Sequence, residues 1–138
     1  GVPGISFRRG GTVVRTPEKV DDFWVNALIS HDRVARSVDL EAAAKVTWTR
    51  IERESPGATI GMERVARFGD NVVYLRGIQM ESPQTKRALA QIHGLFLAPS
   101  PDEAKTADVF QIIGTAPADV MPTFGAVFVA LIASFQFV

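Results

Sequence analysis

The sequence predicts an α+β domain, an antiparallel sheet of about five strands packed by an N-terminal and a C-terminal helix. Three observations carry this reading. The run from Pro122 to Val138 holds no charged residue, and its Phe124, Val127, Phe128, Leu131, Ile132 and Phe135 fall on one stripe at helical period. Near the other end, Thr16-Pro17 opens a segment in which Val20, Phe23, Trp24, Ala27 and Leu28 recur at helical spacing. Between them, two alternating runs, Ile60 to Phe68 and Val72 to Met80, are joined by Gly69-Asp70-Asn71, a hairpin signal. The 138 residues fit a single domain spanning 1–138. A chain of this size buries roughly two-thirds of its unfolded surface, enough for a core without covalent staples.

Taken in order, Ile5 to Arg15 reads as extended chain broken by Gly10-Gly11, a turn between two short strands or a bulge. Thr16 can cap the first helix, and Pro17 at its first position gives up no needed N–H. Glu18, Asp21 and Asp22 place negative charge where the helix dipole favours it, and the helix is expected to end near Ser30 to Asp32. His31 to Leu40 is polar and reads as a connection, with a turn of helix at Asp39 to Ala44. Lys45 to Glu54 alternates, with Val46, Trp48, Arg50 and Glu52 on one side and β-branched Thr47, Thr49 and Ile51 on the other, so a strand is expected. Ser55-Pro56-Gly57 is a turn before the hairpin. In its second strand Val72, Tyr74, Arg76, Ile78 and Met80 share one side.

Ser82-Pro83 repeats the cap-and-proline device, and Leu89, Ile92, His93 and Phe96 form a stripe, so a helix from 83 to 97 is expected despite Gly94. Pro99 to Lys105 is a loop. Ala107 to Thr115 is apolar on both faces, as a central strand must be. Ala116-Pro117-Ala118-Asp119 leads into the closing helix, with Asp119 as the expected cap and Pro122 in the first turn. Gly125, Ala126, Ala130, Ala133 and Ser134 give that helix a small side able to approach a second surface closely.

Composition excludes several function classes. There is no cysteine, so neither disulfides nor thiolate metal sites exist. Fifteen basic and fifteen acidic residues cancel, and the basic stripe that marks a nucleic-acid binder is missing. Arg8, Arg9, Arg15, Arg64, Arg67 and Arg76 lie in or beside strands, but Glu52, Glu63 and Glu81 interleave with them. The two histidines, His31 and His93, stand in no H-E-x-x-H, H-x-H or E-x-x-H arrangement, and no metal site is expected. His93 on a helical stripe reads as a half-buried packing residue. Ser30-His31-Asp32 holds the residue types of a hydrolase triad, but adjacent side chains point in different directions, whereas triad members converge from separate elements. Glu52 and Glu54 share a strand face beside Arg50 and Arg53, which reads as a solvated charge ladder. Neither a phosphate-binding nor a dinucleotide-binding glycine pattern occurs. No catalytic residue and no cofactor is assigned.

At Val109 to Pro117, followed by a helix closing on Leu131 to Phe135, the chain resembles the PsbP-like α/β/α sandwich of photosystem II extrinsic subunits and small bacterial lipoproteins. It is also similar there to accessory domains that follow secreted bacterial zinc metalloproteases. The similarity spans about 30 residues of strand and helix, a structural pattern. It implies a non-enzymatic binding or assembly module at the cell envelope, periplasmic or secreted, engaging a protein partner. The opening Gly1-Val2-Pro3-Gly4 agrees, reading as a processed start with a leader removed; a cytoplasmic domain is the alternative. A homodimer stays open. A second reading is a small apolar-ligand carrier or a pocket enzyme of cyclase-like type, with Phe23, Trp24, Trp48, Tyr74, Phe110 and Phe128 lining a pocket between sheet and helices. A third is a membrane-anchored subunit, since the uncharged run from Val120 to Val138 approaches the ~20 residues a bilayer requires.

Overall fold

In a computed structural model, residues 5–8, 11–15, 19, 25–98 and 105–135 are described. They form strands β1 (Ile5–Arg8), β2 (Gly11–Arg15) and β3 (Asn26–Ala35), helix α1 (Leu40–Glu54), strands β4 (Thr59–Phe68), β5 (Asn71–Glu81), β6 (Ala88–Leu97) and β7 (Thr106–Pro117), and helix α2 (Met121–Ala133). Every pairing is antiparallel, and the sheet order is β1-β2-β3-β7-β6-β5-β4. The body is the α+β fold expected: the long antiparallel strands β3 to β7 with two helices. The short hairpin β1–β2 extends the sheet along one edge.

Several elements differ from the sequence reading. The N-terminal helix was expected to reach Ser30, but Asn26 to Ala35 is a strand paired residue by residue with Thr115 to Thr106 of central β7. Residues 16–18 and 20–24 lie outside the described residues. The helical stripe misleads because Ala27 and Leu28 serve opposite sheet faces. Lys45 to Glu54, expected as a strand, belongs to α1. Asp39 caps it, its side chain accepting from the Ala42 N–H at 2.8 Å. Glu41 stands in the first turn and Arg53 in the last, both matched to the helix dipole. Ala42, Ala43 and Ala44 add the best helix propensity available. These local terms, with burial of Ala43, Ala44 and Thr47 on one face, outweigh the β-preference of Thr47, Trp48 and Thr49.

The segment from 83 to 97, expected as a helix, is a turn followed by strand β6. Gly94 shows why. A Cβ there would stand 2.6 Å from Ile132 Cγ2, so the glycine is a seat for α2 on the sheet. Ser82 caps a turn instead of a helix, accepting from the Thr85 N–H at 3.4 Å. The hairpin β4–β5 forms as the sequence reads it, with Gly69 at φ +61° in its turn. α2 also forms, but its cap position is Val120, not Asp119, and carries no side-chain cap bond.

The two helices cover opposite faces. On one face Ala43 and Ala44 of α1 pack with Tyr74, Leu95 and Val109. On the other, Ile132 packs with Val73, Leu75, Phe96 and Ile112, and Phe128 packs with Val25, Ala27 and Ala116. Burying Phe128 and Ile132 contributes about 2 kcal/mol each. The result is three layers, helix on sheet on helix. α2 spans 13 residues, about 20 Å of rise, against a bilayer core of about 30 Å. No helix among the described residues is long and apolar enough to cross a membrane.

Candidate functional site

The face beneath α1 carries a strip of buried polar side chains. Alternation along β5, β6 and β7 points Arg76, Gln91, His93, Gln111 and Thr115 to this side. Arg76 and His93 are fully buried. The Arg76 guanidinium donates from Nε to His93 Nδ1 at 3.1 Å, from Nη1 to the Ala44 carbonyl at 2.8 Å and from Nη2 to Thr47 Oγ1 at 3.0 Å. Because His93 Nδ1 accepts, its proton sits on Nε2, which meets Gln91 Oε1 at 2.8 Å. Gln91 Nε2 then donates to Thr115 Oγ1 at 3.1 Å. The Thr47 hydroxyl passes its own hydrogen to the Ala44 carbonyl at 2.9 Å. One network therefore ties the floor of the sheet to the middle of α1.

Electrostatics set the charge states. Burial lowers the Arg76 pKa to about 10, so the guanidinium stays charged at neutral pH. No carboxylate stands within ion-pair reach of it among the described residues. Burial first, then the Arg76 charge, lowers His93 to about 3, so its ring is neutral. Burial raises the Tyr74 phenol, and the neighbouring Glu63 raises it further. The neutral ring, engaged at both nitrogens, orients the guanidinium that reaches α1.

Concave sites flank α1. On the β4–β5 side a cavity of about 270 Å³ is walled by Trp48, Tyr74, Ile60 and Ala44, with Glu41, Glu63 and Lys45 around it. On the β3–β7 side a groove of about 310 Å³ runs past Gln111, Ile113, Thr47 and Ile51 to Asp32 and Arg50 at its rim. A more open groove of about 700 Å³ lies at the end of α1, between the Ser55–Thr59 loop and the β5–β6 turn, where Lys86 sits at φ +59°.

These positions place the aromatic residues singled out in the sequence. Trp48 and Tyr74 share the 270 Å³ cavity. Phe110 and Phe128 lie on the opposite face, Phe128 on the buried side of α2 and Phe110 stacked on His31 with centroids 4.7 Å apart. Phe23 and Trp24 fall outside the described residues. The structure gathers no single pocket from Trp48, Tyr74, Phe110 and Phe128, because the sheet lies between the two pairs. His93, expected to be half-buried on a helix, is fully buried on a strand. Neighbours in Ser30-His31-Asp32 diverge as the spacing implies: Ser30 and Asp32 face α1, where Asp32 meets Arg50 at 2.6 Å, while His31 meets Asp108 at 2.8 Å on the other face. Contact with His31 holds the Asp108 carboxyl below its ordinary pKa. The buried role of Arg76 was missed, although an arginine in register with Tyr74 and Ile78 on an apolar strand face was the available signal.

The outer surface of α2 is the other notable feature. Thr123, Ala126, Val127, Ala130 and Ala133 are exposed, Val127 by 59%, and the helix carries no charged residue.

Fold and site together define a three-layer α/β/α domain whose antiparallel sheet pins one helix by a buried arginine network and seats the other on glycines. Solved structures that share this fold include PA94 and LpqN. PA94 from Pseudomonas aeruginosa, a protein of unknown function described as a candidate regulator, superposes with a TM-score of 0.69 at 10% identity over 96% of this chain and 87% of its own. LpqN, involved in cell envelope biogenesis of Mycobacterium tuberculosis, superposes with a TM-score of 0.64 at 14% identity over 90% of this chain and 69% of its own. At these identities the likeness is one of fold. No family model matches the chain, and no curated protein matches it.

Proposed function

We propose that the chain is a non-enzymatic binding or assembly module of the cell envelope, periplasmic or secreted, that engages a protein partner. The observation that carries this is the outward face of α2. A solvent-facing helix in a folded domain ordinarily carries charge on its outer side. This one presents alanines and Val127 instead, a flat apolar strip that a partner's apolar surface can approach closely. The fold likeness to LpqN supports the envelope setting, and the layering of helix, sheet and helix agrees with the PsbP-like α/β/α reading.

A photo-crosslinker placed at Val127 in the producing cell tests the proposal, with one at exposed Glu52 on α1 as control. The expected result is a single polypeptide adduct from position 127, lost on Ala130→Glu. Adducts of equal yield from both positions, or none from 127, would defeat the reading. A carrier reading is favoured by the cavity shared by Trp48 and Tyr74. An apolar small molecule copurifying in equimolar amount, and lost on Trp48→Ala, would support it.

A further inference from the structure

The groove between α1 and strands β3 and β7 holds a polar group that the described residues leave unmatched. Gln111 is only 7% exposed, and its Oε1 is buried with no hydrogen-bond partner among the described residues. A buried acceptor in that condition is costly until a donor reaches it. Two of the groove's donors are turned to other acceptors, and the hydroxyl of Ser30, across the β3–β7 register from Gln111, makes no hydrogen bond to it among the described residues. The Thr47 hydroxyl hydrogen goes to the Ala44 carbonyl, and Arg50 Nη1 goes to Asp32.

The groove's other features narrow the donor's chemistry. Asp32 and Glu54 set two carboxylates against the single charge of Arg50. Glu54 has no ion-pair partner among the described residues. Half-buried Ile51 and Ile113 supply apolar walls. The deep end offers an unmatched acceptor, the rim is net negative, and the walls suit methylene groups. That combination fits an aliphatic stem ending in several N–H donors. A guanidinium's planar fork matches paired carboxylate oxygens less well here, since the deep acceptor is a lone amide oxygen. The opposing charge of Arg76 lies behind Thr47, whose hydroxyl takes its Nη2 hydrogen.

We infer that this groove is a binding site for a primary ammonium group on an aliphatic chain, with Gln111 Oε1 as the deep acceptor and Glu54 as the countercharge. The source is either a free alkylamine or a lysine side chain of a polypeptide; the latter rests on the partner reading above.

Titration calorimetry on the full chain tests this with n-butylamine, 1-butanol and Nα-acetyl-lysine methylamide. The expected result is butylammonium binding at least about tenfold tighter than butanol. Gln111→Leu should weaken it about tenfold, and Glu54→Gln by about threefold. Tighter binding of the lysine derivative than of butylamine assigns the polypeptide source; equal or weaker binding assigns the free amine. Equal affinity for butanol would overturn the inference, since a neutral donor such as water would then satisfy Gln111. So would unchanged binding in Gln111→Leu. Should that variant fail to fold, exposed Glu54→Gln carries the same comparison, and unchanged amine affinity there overturns the inference. The Val127 crosslink reads the opposite face of the sheet, so either reading can fail without the other.

Discussion

Gly114→Ala is the sharpest perturbation of the fold. A Cβ at position 114 of β7 would stand 2.3 Å from Phe128 Cγ and 2.5 and 2.6 Å from Cδ1 and Cδ2. Ordinary carbon contacts lie at about 3.5–4.0 Å, so the overlap exceeds 1 Å. The obstacle is the near end of a rigid ring and not the tip of a flexible chain. Phe128 is 4% exposed and lies beside Phe124, with ring centroids 6.4 Å apart. Relief requires α2 to lift. Overpacking of this kind costs about 1–3 kcal/mol. The lower chain entropy of alanine returns about 0.5–1 kcal/mol. We expect a net loss of about 1 kcal/mol, or roughly 3–4 °C in melting temperature for a domain of this size. The assay is urea unfolding in a double-mutant cycle with Phe128→Leu, which removes the ring. In that background Gly114→Ala should cost little, giving a coupling energy of about 1–2 kcal/mol. Gly57→Ala is the control, since nothing lies within 4 Å of a Cβ there. If Gly114→Ala matched that control, or the cycle were additive within about 0.5 kcal/mol, the seating of α2 on glycine would be wrong.

Other expectations concern the polar strip and the turns. His93 has a folded-state pKa near 3, below its ordinary value of about 6.5. Below about pH 6.5 the unfolded chain gains a proton that the folded chain refuses. Stability should therefore fall as pH drops from about 6.5 toward 3, by up to ~1.4 kcal/mol per unit. Urea midpoints at pH 7.5 and 5.5 should show a smaller difference in His93→Gln than in the parent. Arg76→Met removes the cation beside the ring, so NMR titration should find His93 protonating at higher pH than in the parent. Asp39→Ala should cost about 1 kcal/mol, read as a lower urea midpoint, through loss of the α1 cap. Lys86→Gly should stabilise by about 0.5 kcal/mol, measured the same way, because lysine at φ +59° is strained and the relief exceeds glycine's entropic cost.

The parts of the fold legible in the sequence were those where local and long-range signals agree. The β4–β5 hairpin has turn residues and alternation pointing one way. Central β7 is apolar on both sides, and α2 combines a proline in its first turn with an uninterrupted stripe. The segments misread are those where a stripe fits two periods. Leu89, Ile92, His93 and Phe96 suit a helix, but in β6 Leu89 and His93 face α1 while Ile92 and Phe96 face α2, since a strand between two helix layers buries both sides. The same ambiguity hides β3, whose Ala27 and Ile29 face α2 while Leu28 and Ser30 face the other way. α1 fails in the other direction, because β-branched residues at Thr47, Thr49 and Ile51 masked a capped, alanine-rich helix.

The polar strip was less legible because its members come from separate elements that only the sheet brings together. Arg76 and His93 are 17 residues apart in the chain, yet register places them side by side on β5 and β6. A misassigned β6 removes that register, and with it any reason to connect them. The network also explains how so small a helix face holds. Ala43, Ala44 and Thr47 bury little apolar area, so α1 is attached by direction as much as by area, through two donors of a buried guanidinium aimed at Ala44 and Thr47. Buried charge without a carboxylate is an expensive way to attach a helix, and a well-packed apolar residue often stabilises as much. What the arginine adds is angular precision, with two bonds to α1 and a third to His93 of β6 setting the helix over β5 and β6. That fixes the width of the spaces on either side of the helix, the Trp48–Tyr74 cavity and the Gln111 groove. An α1 free to roll would leave neither with a defined shape.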